Sequence, residues 1–475
     1  MAYSATISSL HRSWGRLTVA GANSFPCHSG TRRFFYFALT VCMLQGGFVW
    51  DSSDASARTG RRPNILIILT DDQAAPTMST MPKTLRWFKR GGRTYRNFFV
   101  TTPFCCPSRA SLFTGQYAHN HGVQKNWAGG RLMQRTTMQY YLQRNRYKTA
   151  MVGKYLSGDL PRDPPFFDRW AIFQEPDYCN TRFNVNGRVR DVHGYSTAYI
   201  SAKARGIISG FEQRDRRPWF LLVSTFAPHF PFAAERKYAD LQIPRWEGTP
   251  AQFEGSRRDK PPWVRRANTS FEDGQRIRQR QLRTLKSVDD LVGGMKRRLG
   301  RLNERSRTLA FFLSDNGYMW AEHGLRAKEH PYTGSVRTPL FVTWPGHVAP
   351  GSVSSRMVGN IDVAPTVLRA AGPLNPAHPI DGRPLFSHGH RERLLLENWP
   401  DDFPEWASLR SKRYQFVEYY RHTGGVKFRE YYNLRKDPWQ LRNVLRDGDP
   451  DNDPSVRRLS RSLQRARHCV GSGCP

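Results

Sequence analysis

Acidic residues are scarce in this 475-residue chain: 39 Asp and Glu stand against 73 Lys and Arg, a formal net charge of +34. Such a balance favours polyanionic company: nucleic acid, an anionic membrane surface or an acidic polysaccharide. The arginines are scattered through the whole chain rather than gathered into one tail, so the charge also fits a plain compositional taste for arginine. Long apolar runs are lacking too. Past the N-terminal region none approaches 18 residues, which excludes a stable membrane-spanning helix there. There are only seven cysteines, and no pair has zinc-site spacing, which argues against a structural zinc. No internal repeat is found. With 39% hydrophobic and 13% aromatic residues, the chain is not broadly disordered and can bury a large core.

The N-terminal region reads as an export signal. Arg32-Arg33 precede a short apolar run from Phe34 to Leu44, and Ala55-Ser56-Ala57 offers a small-residue cleavage site. Thr31-Arg32-Arg33-Phe34-Phe35-Tyr36 resembles a twin-arginine signal. Residues 1–57 are therefore assigned to export and cleavage, and the mature chain to the periplasm, cell surface or medium. Cys27 and Cys42 fall in that segment. Cys469 and Cys474, with four residues between them at the C-terminus, look like a small disulfide loop of an oxidising compartment.

Four continuous apolar runs follow: Asn64–Leu69, Lys148–Val152, Trp219–Ser224 and Thr308–Leu313. Such runs mark strands buried on both faces, as in a parallel sheet. Each ends on polar groups: Thr70-Asp71-Asp72, Gly153-Lys154, Ala227-Pro228-His229 and Ser314-Asp315-Asn316-Gly317. Open α/β sheets bind ligands beyond the carboxyl ends of their strands, so these ends form one candidate site. A fifth run, Pro339–Trp344, delivers nothing ionisable and reads as scaffold. Leu282, Leu285, Val288, Leu291, Val292, Met295 and Leu299 trace an amphipathic helix on the sheet, with no functional reading. The expected fold is α/β, a large mostly parallel central sheet flanked by helices over residues 62–385. A small C-terminal antiparallel α+β subdomain over 386–445 and a basic tail over 446–475 complete it. Residues 160–195 and 244–275 are read as surface insertions.

Cys105-Cys106-Pro107-Ser108-Arg109 opens a further predicted helix, with Pro107 suited to its first turn and Gly115 to its stop. Local physics allows a reactive thiolate in the field of the helix N-terminus, or two buried or paired cysteines. Asp71, Asp72, Asp315 and Asn316 form an oxygen-only set suited to a hard cation, or alternatively turn and capping carboxylates. Arg109, Lys154 and Lys328 suit an anionic substrate, and His229 can donate a proton to a leaving oxygen.

From about Arg62 to Val444 these elements resemble the sulfatase family of the alkaline-phosphatase-like superfamily. The resemblance rests on Asp71-Asp72, Cys105-x-Pro107-Ser108-Arg109 with Thr114-Gly115, Gly153-Lys154, Ala227-Pro228-His229, Ser314-Asp315-Asn316-Gly317 and Lys328. It implies that a maturation enzyme converts Cys105 to formylglycine. It also implies one calcium ion on Asp71, Asp72, residue 105, Asp315 and Asn316, with Arg109, Lys154, His229, Lys328 and Asp315 completing the catalytic set. Gly153-Lys154-Tyr155-Leu156, the double cysteine, His119-Asn120-His121 and Asp437–Asn443 look most similar to the N-acetylglucosamine-6-sulfatase and extracellular heparan-sulfatase branch. Leu156 stands where many relatives carry a histidine. His119 and His121 either join the site or brace the helix. The implied substrate is a sulfated small molecule or acidic glycan, with no specific nucleic-acid partner. A phosphomonoesterase or phosphonate hydrolase of the same superfamily, and a silent polyanion binder, are the alternatives.

Overall fold

The computed structural model describes residues 62–214, 217–372, 376–387, 389 and 391–475. The export reading of residues 1–57, with Cys27 and Cys42, lies outside them.

Sixteen strands are described: β1 Asn64–Thr70, β2 Arg93–Phe99, β3 Lys148–Gly153, β4 Arg169–Phe173, β5 Cys179–Val185, β6 Arg188–Tyr195, β7 Trp219–Ser224 and β8 Thr308–Ser314, then β9 Met319–Trp320, β10 Arg326–Ala327, β11 Leu340–Thr343, β12 Ser352–Gly359, β13 Arg393–Asn398, β14 Trp406–Ser411, β15 Tyr414–Tyr420 and β16 Val426–Asn433. The longer helices are α1 Cys105–Thr114, α2 Met138–Arg144, α3 Ser196–Glu212, α4 Phe271–Arg301, α5 Val363–Ala371 and α6 Val456–Arg467.

Ten strands form one sheet in the order β12-β2-β11-β8-β1-β7-β3-β4-β5-β6. Its centre, β8-β1-β7-β3-β4, is parallel throughout, while β11, β5 and β6 run antiparallel to their neighbours. β1 is buried along its whole length because both faces are covered. Alternate residues take opposite sides: Ile65, Ile67 and Leu69 pack with α1, α2 and α5, whereas Leu66 and Ile68 pack with α3 and α4. Helix α4 begins at Ser270, whose hydroxyl accepts a hydrogen bond from Asp273 N at 3.1 Å. All seven of its predicted apolar positions are fully buried, each contributing about 1.5–3 kcal/mol.

The register brings the strand ends level. Thr70 lies beside Ser314, Leu69 beside Ser224, and Gly153 beside Ser224. The polar residues that follow therefore emerge at one edge, as the apolar runs predict. Residues 160–195 are not a surface insertion: β4, β5 and β6 carry the sheet outward, and Phe173 and Phe183 join its core. β6 is exposed on both faces from Arg188 to Asp191, which hid the strand period.

The C-terminal strands form a separate four-stranded antiparallel meander, β13-β14-β15-β16. Helix α6 lays Leu459, Leu463 and Ala466 on Leu395, Leu409 and Phe416. The Cys469–Cys474 disulfide closes that cluster, as expected from the spacing.

Candidate active site

Helix α1 starts at Cys105 after an extended Phe104 and stops at Gly115, which takes the left-handed conformation (φ 74°). Every residue of α1 is buried. Cys105 and Cys106 are both free thiols. Cys106 faces away from the strand ends, its amide on Asn126 Oδ1 at 2.8 Å and its sulfur 3.5 Å from Ser157 O. Burial pushes its thiol up to about 11.

Cys105 Sγ lies 2.8 Å from Lys328 Nζ and 3.2 Å from Asp71 Oδ1. The thiolate suggested by the helix start is not supported. Burial, then the Asp71 charge, raises this thiol far above its ordinary value and outweighs Lys154 and Lys328. The sulfur thus marks a position rather than a nucleophile poised as thiolate.

Around it three carboxylates and three cations interlock. Lys154 holds Asp71 Oδ2 and Lys328 holds Asp72 Oδ1. Arg109 Nε donates to Asp315 Oδ2 at 2.8 Å, and its Nη1 to Lys154 O at 2.6 Å and Ser224 Oγ at 2.8 Å. Its Nη2 makes no hydrogen bond among the described residues but stands 3.7 Å from Asp71 Oδ2, an electrostatic contact only. Asp72 is left-handed (φ 68°), a conformation that aspartate tolerates better than most residues. Its amide donates to Asp315 Oδ1 at 3.2 Å, while Asn316 Nδ2 donates to its Oδ1 at 2.6 Å. His229 Nε2 stands 3.8 Å from Asp72 Oδ2, and its Nδ1 lies 2.7 Å from Phe230 O. That contact assigns the proton to Nδ1 and leaves Nε2 open toward the cluster.

The electrostatics separate the two acids nearest Arg109. Burial raises Asp71, but Lys154, His229, Arg109 and Lys328 together hold it well below the carboxylate range. Burial and the Asp71 charge lift Asp315 to about 7. Burial also lowers His229, against the pull of Asp72 and Asp71, so the imidazole is neutral near pH 7.

Asn316 Oδ1 is buried and has no hydrogen-bond partner among the described residues, and such an acceptor is costly unless something binds it. Together with Asp71, Asp72 and Asp315 it offers hard oxygen donors, which fit a calcium-like cation. Ligand atoms of Asp71, Asp72, Cys105 and His229 all lie within 4.8 Å of one another. His229 enters this cluster although it is absent from the predicted ligand set. The oxygen donors suit a hard cation better than its ring nitrogen does.

Lys328 is aimed by a strained turn. Ala327 and Glu329 on either side are left-handed (φ 68° and 79°), which persists only where the surroundings over-determine it. They do so here: Glu329 N donates to Pro103 O at 3.2 Å, and its carbonyl accepts Asn398 Nδ2 at 3.0 Å and Trp406 Nε1 at 2.8 Å. The C-terminal sheet therefore fixes the lysine.

Helix α4 also serves the site. Gln281 Nε2 donates to Pro228 O at 3.2 Å and Asp72 O at 3.4 Å, while its Oε1 accepts Trp320 Nε1 at 2.7 Å. Sequence reading missed Gln281, Ser224 and Glu329; a lone glutamine at a buried helix position, Gln281 being fully buried, was the available signal. His119 and His121 stand apart from the cluster. His119 Nδ1 meets Glu397 at 2.9 Å and its Nε2 lies 3.0 Å from Cys469 O, while His121 Nε2 lies 2.9 Å from Ser111 Oγ. Leu156 is buried in the core cluster that contains Cys106.

Known proteins resemble this chain in sequence and in fold. Residues 63–373 match the family described as Sulfatase, and residues 321–468 the family described as N-sulphoglucosamine sulphohydrolase, C-terminal. The extracellular sulfatase SULF-1 homolog of Drosophila melanogaster is 34% identical over 383 residues, covering 74% of this chain but 34% of the fly protein. This chain thus spans about a third of that relative's length. The N-acetylglucosamine-6-sulfatase of Homo sapiens is 28% identical, covering 87% of this chain and 86% of the human one. A protein solved with its substrate D-glucosamine-2-N,6-O-disulfate shares the fold at a TM-score of 0.75 and 22% identity, covering 85% of this chain and 97% of that one.

Proposed function

The chain belongs to the sulfatase family, and on that premise we propose that it is a sulfuric ester hydrolase acting on a sulfated amino sugar or glycan. Cys105 is the site of conversion to formylglycine, and Asp71, Asp72, Asp315, Asn316 and residue 105 hold calcium. The single observation that carries this reading is the convergence on Cys105 Sγ of Lys328 Nζ at 2.8 Å and Asp71 Oδ1 at 3.2 Å, inside a buried ring of three carboxylates and three cations.

Calcium supplies fixed positive charge that stabilises oxygen anions, and the modified residue supplies an oxygen nucleophile where a thiol stands. The protein's own groups do the rest. Arg109 spans Asp315 and the Lys154 carbonyl and so fixes the start of α1 against β3 and β8. Lys154 and Lys328 form the positive wall that binds sulfate oxygens, with preorganised charge in a site shielded from water. Lys328, which stays protonated and whose Nζ reaches position 105, is placed to give a proton to the departing alcohol, while His229 Nε2, with the ring proton on Nδ1 toward Phe230 O, can take one. Asp315, besides holding the cation, can take a proton from an attacking hydroxyl. Leu156 lies in the apolar core and leaves His229 and Lys328 as the nearest proton-handling groups.

Relatives named extracellular sulfatases and the signal-like residues 1–57 support export of this chain. Among the described residues no helix is long and apolar enough to cross a membrane. Steady-state rates on a 6-O-sulfated glucosamine, an aryl sulfate and an aryl phosphate test the proposal. Sulfate turnover is expected to dominate and to vanish in Cys105→Ala; faster phosphate turnover would overturn it.

A further inference from the structure

Helices α3 and α4 pack side by side on one face of the sheet. Far from the strand ends they enclose a cleft of about 280 Å³ lined by Arg205 of α3 and by Gly294, Arg297, Arg298 and Arg301 of α4. Gln281, which touches the active site through Asp72 O, lies 13 residues before Gly294 on the same helix, so the cleft is about 20 Å away at 1.5 Å per residue.

The four α4 positions recur at three- and four-residue spacing, so they form one stripe. Gly294 makes room for the fifth: a Cβ there would come within 2.9 Å of Arg205 Nη1. Arg205 and Arg298 are partly buried and Arg297 and Arg301 exposed. Arg205 Nη1 donates to Ser201 Oγ at 2.5 Å. None of the four guanidinium groups has a carboxylate partner among the described residues, whereas Arg307, in the short turn that follows α4, pairs with Glu304. Burial first, and then the neighbouring Arg298 and Arg297 charges, depress the Arg205 pKa. The α4 carboxyl-terminal dipole favours Arg298 and Arg301 but does not account for Arg205, which comes from another helix. A concave set of converging forks without counter-charge matches tetrahedral or planar oxyanions.

We propose that this cleft is a second anion site that holds a sulfated stretch of an acidic polysaccharide while another stretch reaches the active edge. The inference rests on the reading of the chain as a glycan sulfatase for its ligand, but not on turnover. Binding at the cleft raises the local concentration of sulfate esters at the reacting centre without new contacts there.

The test uses the full chain carrying Cys105→Ala, so that no ester is consumed, and a fluorescein-labelled heparin oligosaccharide read by anisotropy across a salt series. R205Q/R297Q/R298Q/R301Q is compared with R457Q/R458Q/R461Q/R465Q, four exposed arginines of α6 that carry the same charge. The cleft variant is expected to bind at least about tenfold more weakly, with a salt slope reduced by roughly one per arginine removed, and the α6 variant to change far less. The double variant R297Q/R301Q, altering exposed side chains only, repeats the test without burdening the fold, and a loss there of about half the slope change supports the cleft. Equal losses in the cleft and α6 variants, no loss in either cleft variant, or stronger competition by duplex DNA than by unlabelled heparin would overturn it. Cleft-specific loss in a chain whose Cys105 form turns over no sulfate ester supports the cleft and sinks only the catalytic reading.

Discussion

Arg109 and Asp315, separated by 206 residues, meet at 2.8 Å with both side chains fully buried. The pair joins the start of α1 to the end of β8 at the point where the cation ligands gather. Breaking a buried pair on one side leaves an uncompensated charge and costs about 3–5 kcal/mol. Arg109→Ala is therefore expected to lower Tm sharply and abolish turnover. Arg109→Lys keeps the charge but not the fork that also reaches Lys154 O and Ser224 Oγ. It should retain most of the stability yet lose at least about a hundredfold in kcat, the scale of one lost oxyanion-stabilising contact. Calorimetry with steady-state kinetics on both variants checks this.

Removal of calcium should be visible without any substrate. Ligand binding to the folded state alone adds about 2.7 kcal/mol at a hundredfold excess over Kd. Chelation is expected to lower Tm and calcium to restore it, while Asn316→Leu, which deletes the unpartnered Oδ1, should have a Tm indifferent to both. A Tm of the unaltered chain that ignores chelator and calcium would contradict the assigned ligands.

Gln281 joins α4 to the His229 turn and to Trp320. Gln281→Leu strands the buried Trp320 N–H, a loss of about 1–3 kcal/mol. It also frees the Pro228 carbonyl next to His229. The expectation is a lower kcat with KM little changed, since the substituted side chain positions His229 and does not touch substrate. An unchanged kcat alongside a lowered Tm would reduce Gln281 to a packing residue.

His119 ties the short helix after α1 to β13 and to the C-terminal loop. Burial lowers its pKa, but the Glu397 hydrogen bond and charge outweigh that and leave it raised above 6.5. A raised folded pKa means the contribution is fully present below the unfolded value, near 6.5, and is lost as pH climbs through the folded one. The Tm difference between the unaltered chain and His119→Ala is therefore expected to be greatest in mild acid and to shrink above neutrality. A difference that grows with pH would show that the imidazole is not held as a cation by Glu397.

Much of this was readable in the chain because β1, β3, β7 and β8 are buried on both faces and so read as unbroken apolar runs, each ending in the group it delivers. Lys154, His229 and Asp315 converge because the parallel strands β3, β7 and β8 end level, while Arg109 reaches them from α1 and Lys328 from the turn after β10. What stayed hidden had physical reasons. β4 to β6 lie toward the sheet edge, where β6 is exposed on both faces from Arg188 to Asp191. The Cys105 thiol is governed by burial and by Asp71, which comes from a distant strand, so the helix-start argument had the wrong dominant effect. Gln281 sits at a core position of an amphipathic helix, where spacing describes packing and says nothing of a polar contact made through the sheet edge. The turn that aims Lys328 depends on Asn398 and Trp406, about 70 residues further along.

The most direct test of the account is the mass of the tryptic peptide containing Cys105, taken from protein made in its native host. Conversion of the thiol to the aldehyde predicts a loss of about 18 Da at that residue, with Cys106 unchanged. An unmodified Cys105 in protein that hydrolyses sulfate esters at full rate would contradict the central claim.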